Sequence, residues 1–207
     1  MSEKISATLY YDIISPFAYL YVKQRQRLKD LDILPVPILL GGLLRATENI
    51  GPAEVVAKRL HLYRFCVWRA EKLGIPLRFP EHHPFLTVAP QRLLLEQNAG
   101  WDMVERAFDY VWIEGRDPNL SWEEFCTYLG LSAQTPKPES PQVKAALVAN
   151  TNQAKTDSAF GVPTLILNGH CFWGIDTIDW ALDYLARPGM FDEASYAYAA
   201  NVPNGLT

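Results

Sequence analysis

Ser15 stands where a serine could do chemistry. It follows the apolar run Tyr10-Tyr11-Asp12-Ile13-Ile14 and precedes Pro16-Phe17-Ala18-Tyr19-Leu20. Serine caps helix N-termini, and proline fits the first helical turn, where a missing N–H costs nothing. A helix start aimed at solvent from a strand end offers unpaired N–H groups and the positive end of the helix dipole, which suits a thiolate or carboxylate. A thiol with a free pKa of about 8.5 would ionise more readily beside that dipole and a hydroxyl donor. On its own, the same dipeptide reads better as ordinary capping.

Other reactive residue types offer less. Cys66, Cys126 and Cys171 are widely spaced, an odd set that suggests small core residues in a reducing compartment. His82 and His83 are adjacent in a proline-rich loop, where two neighbouring side chains do not share a ligand geometry, so no metal is expected. The absence of a Gly-x-Ser-x-Gly elbow argues against a Ser-His-Asp triad.

The elements that must position Ser15 follow from periodicity. Residues 5–13 read as a strand, 16–30 as a helix, and 33–40 as a second strand parallel to the first. From about 42 to 157 the pattern is helical. Pro52 opens a helix with Val55, Val56, Leu60, Leu62, Tyr63, Cys66 and Val67 at helical spacing, and Leu73-Gly74-Ile75-Pro76 stops it. Further helices are expected over 86–97 and 101–114, then one opened by a Ser121-Trp122-Glu123-Glu124 capping box, then 142–158. Phe160 to Leu167, Asn168-Gly169 and Cys171 to Gly174 read as a strand, a tight turn and a second strand. A last helix covers 177–186. The order is βαβ, a helical block, then ββα. Trp68, Trp112, Trp122 and Trp173 read as core, with Trp173 also able to wall a pocket, and Tyr196 and Tyr198 of the tail as packing back on the body.

An early βα unit with a late Val162-Pro163-Thr164 hairpin resembles a thioredoxin-like fold, in which the bond before that proline is usually cis and faces the first helix. Redox members carry Cys-x-x-Cys where this chain has Ser15-Pro16-Phe17-Ala18. Over residues 7–186 the chain resembles the 2-hydroxychromene-2-carboxylate isomerases, relatives of the kappa-class glutathione transferases and DsbA-type oxidoreductases. The resemblance rests on several ordered pieces. They are Tyr11 to Leu20, Pro37-Ile38-Leu39-Leu40-Gly41-Gly42, Asn49-Ile50-Gly51-Pro52, Lys58-Arg59, Trp68-Arg69-Ala70, Gly74-Ile75-Pro76, Glu114-Gly115-Arg116-Asp117, Phe160 to Thr164, and Phe172-Trp173-Gly174-Ile175-Asp176. The chain departs from the family pattern at Glu48, His61 and Thr177, where Gly, Tyr and Arg are common.

The resemblance implies an α/β protein: a thioredoxin-like fold with an inserted all-helical domain. The thioredoxin-like part would comprise 1–45 and 158–190, the insertion 46–157, and a tail 191–207. It implies glutathione as cofactor, held by Ser15, Asn49, Val162, Pro163, Ile175 and Asp176. Ser15 would act on the sulfur, the Val162-Pro163 backbone would pair with the peptide, and Asp176 would meet the γ-glutamyl amine. Phe17, Asn49 and Lys58 would face a small aromatic carboxylate. Without the resemblance, Pro163 starts an edge strand, Asp176 caps a helix, Asn49 makes a turn and Lys58 is a solvated charge. The implied reaction interconverts 2-hydroxychromene-2-carboxylate and trans-o-hydroxybenzylidenepyruvate in aromatic catabolism. A kappa-like transferase and a non-catalytic binding module are the alternatives.

Bulk properties narrow the classes. With 207 residues and 49% hydrophobic content the chain can bury a sizeable core, which argues against disorder. A net charge of −4 argues against nucleic acid as a partner. The N-terminus lacks a signal pattern, and the longest apolar run, 33–44, falls short of the ~20 residues of a membrane span, so a cytoplasmic protein is expected. A homodimer contact through the tail has no specific sequence support.

Overall fold

The computed structural model describes residues 4–205. β1 (Ile5–Tyr11) leads into α1 (Pro16–Val22), a 3-10 turn (Arg25–Leu28) and β2 (Leu31–Pro37). Then come α2 (Leu40–Ala46), α3 (Val56–Leu73), α4 (Val88–Glu96), α5 (Trp101–Trp112), α6 (Trp122–Tyr128) and α7 (Pro141–Thr156). The hairpin β3 (Thr164–Leu167) and β4 (His170–Trp173) follows, then α8 (Ile178–Ala186) and α9 (Ala194–Ala200). The sheet order is β2-β1-β3-β4, with β1 parallel to β2 and antiparallel to β3. This is the expected α/β, thioredoxin-like arrangement, with a run of helices between β2 and β3.

Most departures from the sequence reading have a local cause. The first helix stops at Val22 rather than near residue 30, and the Gln24 side chain bonds back to the Leu20 carbonyl at 3.0 Å. The second strand ends at Pro37, not Leu40, because the Leu39 and Leu40 N–H groups leave the ladder for Thr151 Oγ1 (3.1 Å) and Asp12 Oδ2 (2.9 Å). Its two prolines are tolerated because β2 is an edge strand. Pro52 opens only a 3-10 turn, Pro52–Glu54, in which Glu54 accepts from the Gly51 N–H; Val55 is extended and α3 starts after it. Gly74, at φ 64°, stops that helix as expected. Ser121 forms no cap, since its hydroxyl is engaged by Tyr110 Oη and the Asp117 carbonyl. Residues 160–163 lie outside the hairpin strand. The turn itself is as read, with Asn168 at φ 50° and Gly169 at φ 79°.

One core is shared by the sheet and the helices that follow it. Leu9, Tyr11 and Leu165 pack with Tyr19 of α1, Leu93 and Leu94 of α4, Phe108 and Trp112 of α5, and Phe125 of α6. The outer side of α3 faces solvent: Val56, Leu60 and Val67 are exposed, as is Trp68, which the sequence reading placed in the core, and α3 buries Leu62, Cys66 and Ala70. Trp173 is also half exposed, lying against Phe160 with ring centroids 4.8 Å apart. In the tail, Tyr196 packs on Phe191, but Tyr198 is 77% exposed and does not pack back. No helix among the described residues is long and apolar enough to cross a membrane.

Candidate active site

The four residues between β1 and α1 are held from outside the sheet. Gln91 of α4 donates to the Tyr11 carbonyl (3.0 Å) and to the Ile38 carbonyl (2.8 Å). Asp12 is buried, and its carboxylate accepts from the Ile14 N–H (3.2 Å), the Leu40 N–H (2.9 Å) and the Thr87 hydroxyl (3.1 Å). Burial pushes the Asp12 carboxyl up to about 6, against the pull of those three donors. Trp112 of α5 donates its Nε1–H to the Ile13 carbonyl at 2.9 Å. His83 Nε2 lies 2.8 Å from the Ile14 carbonyl. The helical block therefore fixes the segment that ends in Ser15.

Ser15 caps α1: its Oγ accepts from the Ala18 N–H at 3.2 Å. The same hydroxyl donates to the Val162 carbonyl at 3.3 Å. The Val162-Pro163 bond is cis, as the fold implied. Ser15, Val162 and Pro163 thus meet, from the two ends of the sequence. The open donors here are few. Pro16 has no N–H, Ala18 gives its own to Ser15 Oγ, and Tyr19 gives its own to the Ser15 carbonyl at 3.0 Å. The N–H groups of Phe17 and Val162 have no partner among the described residues.

The turn after β4 docks on the same junction. The Gly174 N–H donates to the Pro163 carbonyl at 3.0 Å. Gly174 sits at φ 101°, and a Cβ there would stand 2.7 Å from Asp176 Oδ1, so glycine lets the Asp176 carboxylate fold back over the turn. Asp176 is exposed and forms no N-cap bond, which removes the capping reading. The Ile175 side chain is buried in the core, so only its backbone could face a ligand. Trp173 lies over Gly161, whose Cβ would meet the indole nitrogen at 2.5 Å.

On the other side, Phe17 meets Phe65 of α3 with ring centroids 6.1 Å apart, and Phe65 in turn meets His61 and Trp68. A shallow groove of about 580 Å³ runs along this face, lined by Ala57, Leu60, His61, Arg64, Phe65 and Trp68, with no acidic residue. Lys58 is exposed near the start of α3. Asn49 is exposed and its Oδ1 accepts from the Ile50 N–H at 2.9 Å, a local turn. No hydrogen bond or ion pair among the described residues ties Asn49 or Lys58 to Ser15.

The sequence reading missed Gln91, Thr87, Tyr63 and His83 as parts of this region. His83 was visible only as half of a histidine pair, and a pair tested for metal binding gives no hint of a carbonyl partner across the fold. The three cysteines are free. Burial pushes the Cys66 thiol up to about 12 and raises those of Cys126 and Cys171, so none is an activated thiolate.

Comparisons with known proteins bear on the family and the fold. The chain is 28% identical to 2-hydroxychromene-2-carboxylate isomerase of Pseudomonas putida, over 82% of this chain and 88% of that protein. It is 24% identical to glutathione S-transferase kappa 1 of Caenorhabditis elegans, over 86% and 90%. A solved structure of a 2-hydroxychromene-2-carboxylate isomerase superposes with a TM-score of 0.75 at 25% identity, covering 92% of this chain and 100% of that one. A probable DsbA oxidoreductase from Streptomyces coelicolor, at 14% identity and TM-score 0.65, shares the fold over 98% and 94%. The DSBA-like thioredoxin domain profile matches residues 7–186, and the chain belongs to that family.

Proposed function

We propose that the protein is a glutathione-dependent isomerase that interconverts 2-hydroxychromene-2-carboxylate and trans-o-hydroxybenzylidenepyruvate. One observation carries the reading: a buried serine hydroxyl, not a cysteine pair, occupies the start of α1 and bridges to the Val162 carbonyl. The relatives named as isomerases over most of the chain support it.

The residues present fit glutathione. Val162 offers one open N–H and one carbonyl, the pair an extended peptide needs as a strand-like partner. Asp176 is an exposed carboxylate on the adjoining turn and suits an ammonium. When bound, glutathione would supply a thiolate that adds to the conjugated double bond, permits rotation and is then eliminated unchanged.

The protein's own part is electrostatic and positional. The Ser15 O–H contact with Val162 is long for an O–H donor, and a ligand N–H presented to the same carbonyl competes with it. The Ser15 O–H then turns to the sulfur while its oxygen keeps the Ala18 N–H. The open Phe17 N–H is a second donor at the helix start. Ser15 remains a donor and keeps its proton. Lys58, with Arg64 and His61, makes the α3 face basic beside the Phe17 and Phe65 rings, which suits an aromatic carboxylate.

The kappa-transferase match supports a second reading, conjugation with release of the adduct. Incubation with the chromene carboxylate and glutathione separates them. Trans product with undiminished glutathione is expected; net consumption makes it a transferase, and absence of glutathione binding makes it a binding module.

A further inference from the structure

We propose that His83 is a positioning residue for Ser15, a neutral imidazole whose Nε2–H holds the Ile14 carbonyl while Tyr63 fixes its tautomer. The inference rests on the reading of Ser15 given above. A carbonyl can only accept, so the 2.8 Å contact puts a proton on Nε2. In a neutral ring Nδ1 is then an acceptor; Tyr63 Oη lies 2.6 Å from it and 2.9 Å from the His83 carbonyl, so its one proton is shared between these two acceptors of the same residue. The peptide unit held this way is the one that carries Ser15. Its oxygen is taken by His83, and its N–H donates to the Asp12 carbonyl at 3.0 Å. Both ends of the Ile14–Ser15 peptide are clamped, and with Oγ held by the Ala18 N–H the side chain keeps little freedom beyond rotation of its O–H.

The surroundings favour the neutral ring. Tyr63, Phe79, Phe85 and Trp112 pack around it, three of them and Tyr63 itself edge-on, with Trp112 centred 5.4 Å away. Burial and the Arg59 charge push the imidazole below its usual value, against the pull of the Ile14 carbonyl. A buried histidine could satisfy its N–H on any carbonyl. Here the choice completes a series, since Gln91, Trp112 and His83 hold the carbonyls of Tyr11, Ile13 and Ile14, and His83 takes the one next to Ser15.

The test uses the full chain and three variants. His83→Phe keeps an aromatic ring and loses the donor, His83→Gln keeps an N–H at similar reach, and Tyr63→Phe releases the tautomer. In wild type, nitrogen NMR should show His83 as the neutral Nε2–H form; the Nδ1–H form or an imidazolium at pH 7 would overturn the proposal. In His83→Phe, amide exchange at Ser15 should quicken at least tenfold, the bound glutathione thiol should ionise at a pKa about one higher, and kcat should fall at least tenfold with glutathione affinity within threefold. His83→Gln should restore each value to within threefold of wild type. Unchanged Ser15 exchange in His83→Phe, or failure of His83→Gln to rescue, would contradict it. Should His83→Phe not fold, Tyr63→Phe decides: a mixture of His83 tautomers with faster Ser15 exchange supports the proposal, and a single unchanged tautomer refutes it. The NMR and exchange arms need no glutathione, so a protein that fails to bind it would sink the isomerase reading while these arms still judge His83.

Discussion

The β1–α1 junction and the outer face of α3 flank the same residue, Phe17, and are built in opposite ways. At the junction every carbonyl from Tyr11 to Ile14 has a donor, three of them from side chains of the helical block and one from the Ser15 N–H. On α3, Leu60, Phe65 and Trp68 face solvent beside Arg64 and His61. Buried polar groups left unpaired are expensive, so a junction whose four successive carbonyls are all paired holds one backbone geometry. An exposed aromatic face has no such constraint and can meet different ring systems. On the proposed function, the contrast assigns rigidity to the side that would orient sulfur and tolerance to the side that would meet the co-substrate.

Substitutions should separate the two regions by stability. Trp112→Ala removes a fully buried side chain and the donor to Ile13, and should lower unfolding free energy by about 3–5 kcal/mol in urea titrations. A loss below about 1 kcal/mol would mean the junction is not rigidly packed.

The junction should also show a distinctive pH dependence. Asp12 titrates near 6 when folded and near 3.9 unfolded. Between these values the folded chain binds more protons, so its contribution falls as pH rises from about 4 to 6, by roughly 3 kcal/mol in all. His83 has the opposite sign: with its folded value depressed, stability is lost as pH drops below about 6.5. Asp12→Asn should remove the falling component between about pH 4 and 6; an unchanged profile would show that Asp12 does not titrate in that range.

Smaller effects are expected where a ligand rather than the fold is touched. Asp176→Ala should weaken glutathione binding about tenfold and leave saturated turnover nearly unchanged, because the contact is made in ground and transition states alike. Calorimetry showing wild-type affinity would remove Asp176 from the site. Phe65→Ser on α3 should change stability by no more than about 0.5 kcal/mol, yet raise KM for the aromatic carboxylate several-fold. A large stability loss there would erase the contrast between the two faces.

The backbone turns around the junction were legible in the sequence, and the side chains that support it were not. Ser-Pro at a helix start, Asn-Gly between two apolar runs and Gly74 before Ile75-Pro76 are local signals, and local backbone rules decide them. Gln91, Thr87 and His83 act on residues 53 to 80 positions away, and no spacing rule links a side chain to a carbonyl across the fold. Trp68 on α3, read as core, misled for a related reason. Helical spacing finds an apolar stripe, but Val56, Leu60 and Val67 lie outside the stripe of Leu62, Cys66 and Ala70 that packs inward. Periodicity does not say which of two stripes meets the core.

The central claim is that the Ser15 hydroxyl stabilises a bound thiolate. It is tested most directly by thiolate absorbance of the glutathione complex as a function of pH, in wild type and Ser15→Ala. In wild type the bound thiol should ionise below its free value. A hydrogen bond to a charged group contributes about 1.5–3 kcal/mol, so Ser15→Ala should raise the bound-thiol pKa by about one to two, leaving the smaller part due to the helix start and Phe17 N–H. A Ser15→Ala complex that ionises like wild type and isomerises as fast would reduce Ser15 to a helix cap and contradict the account.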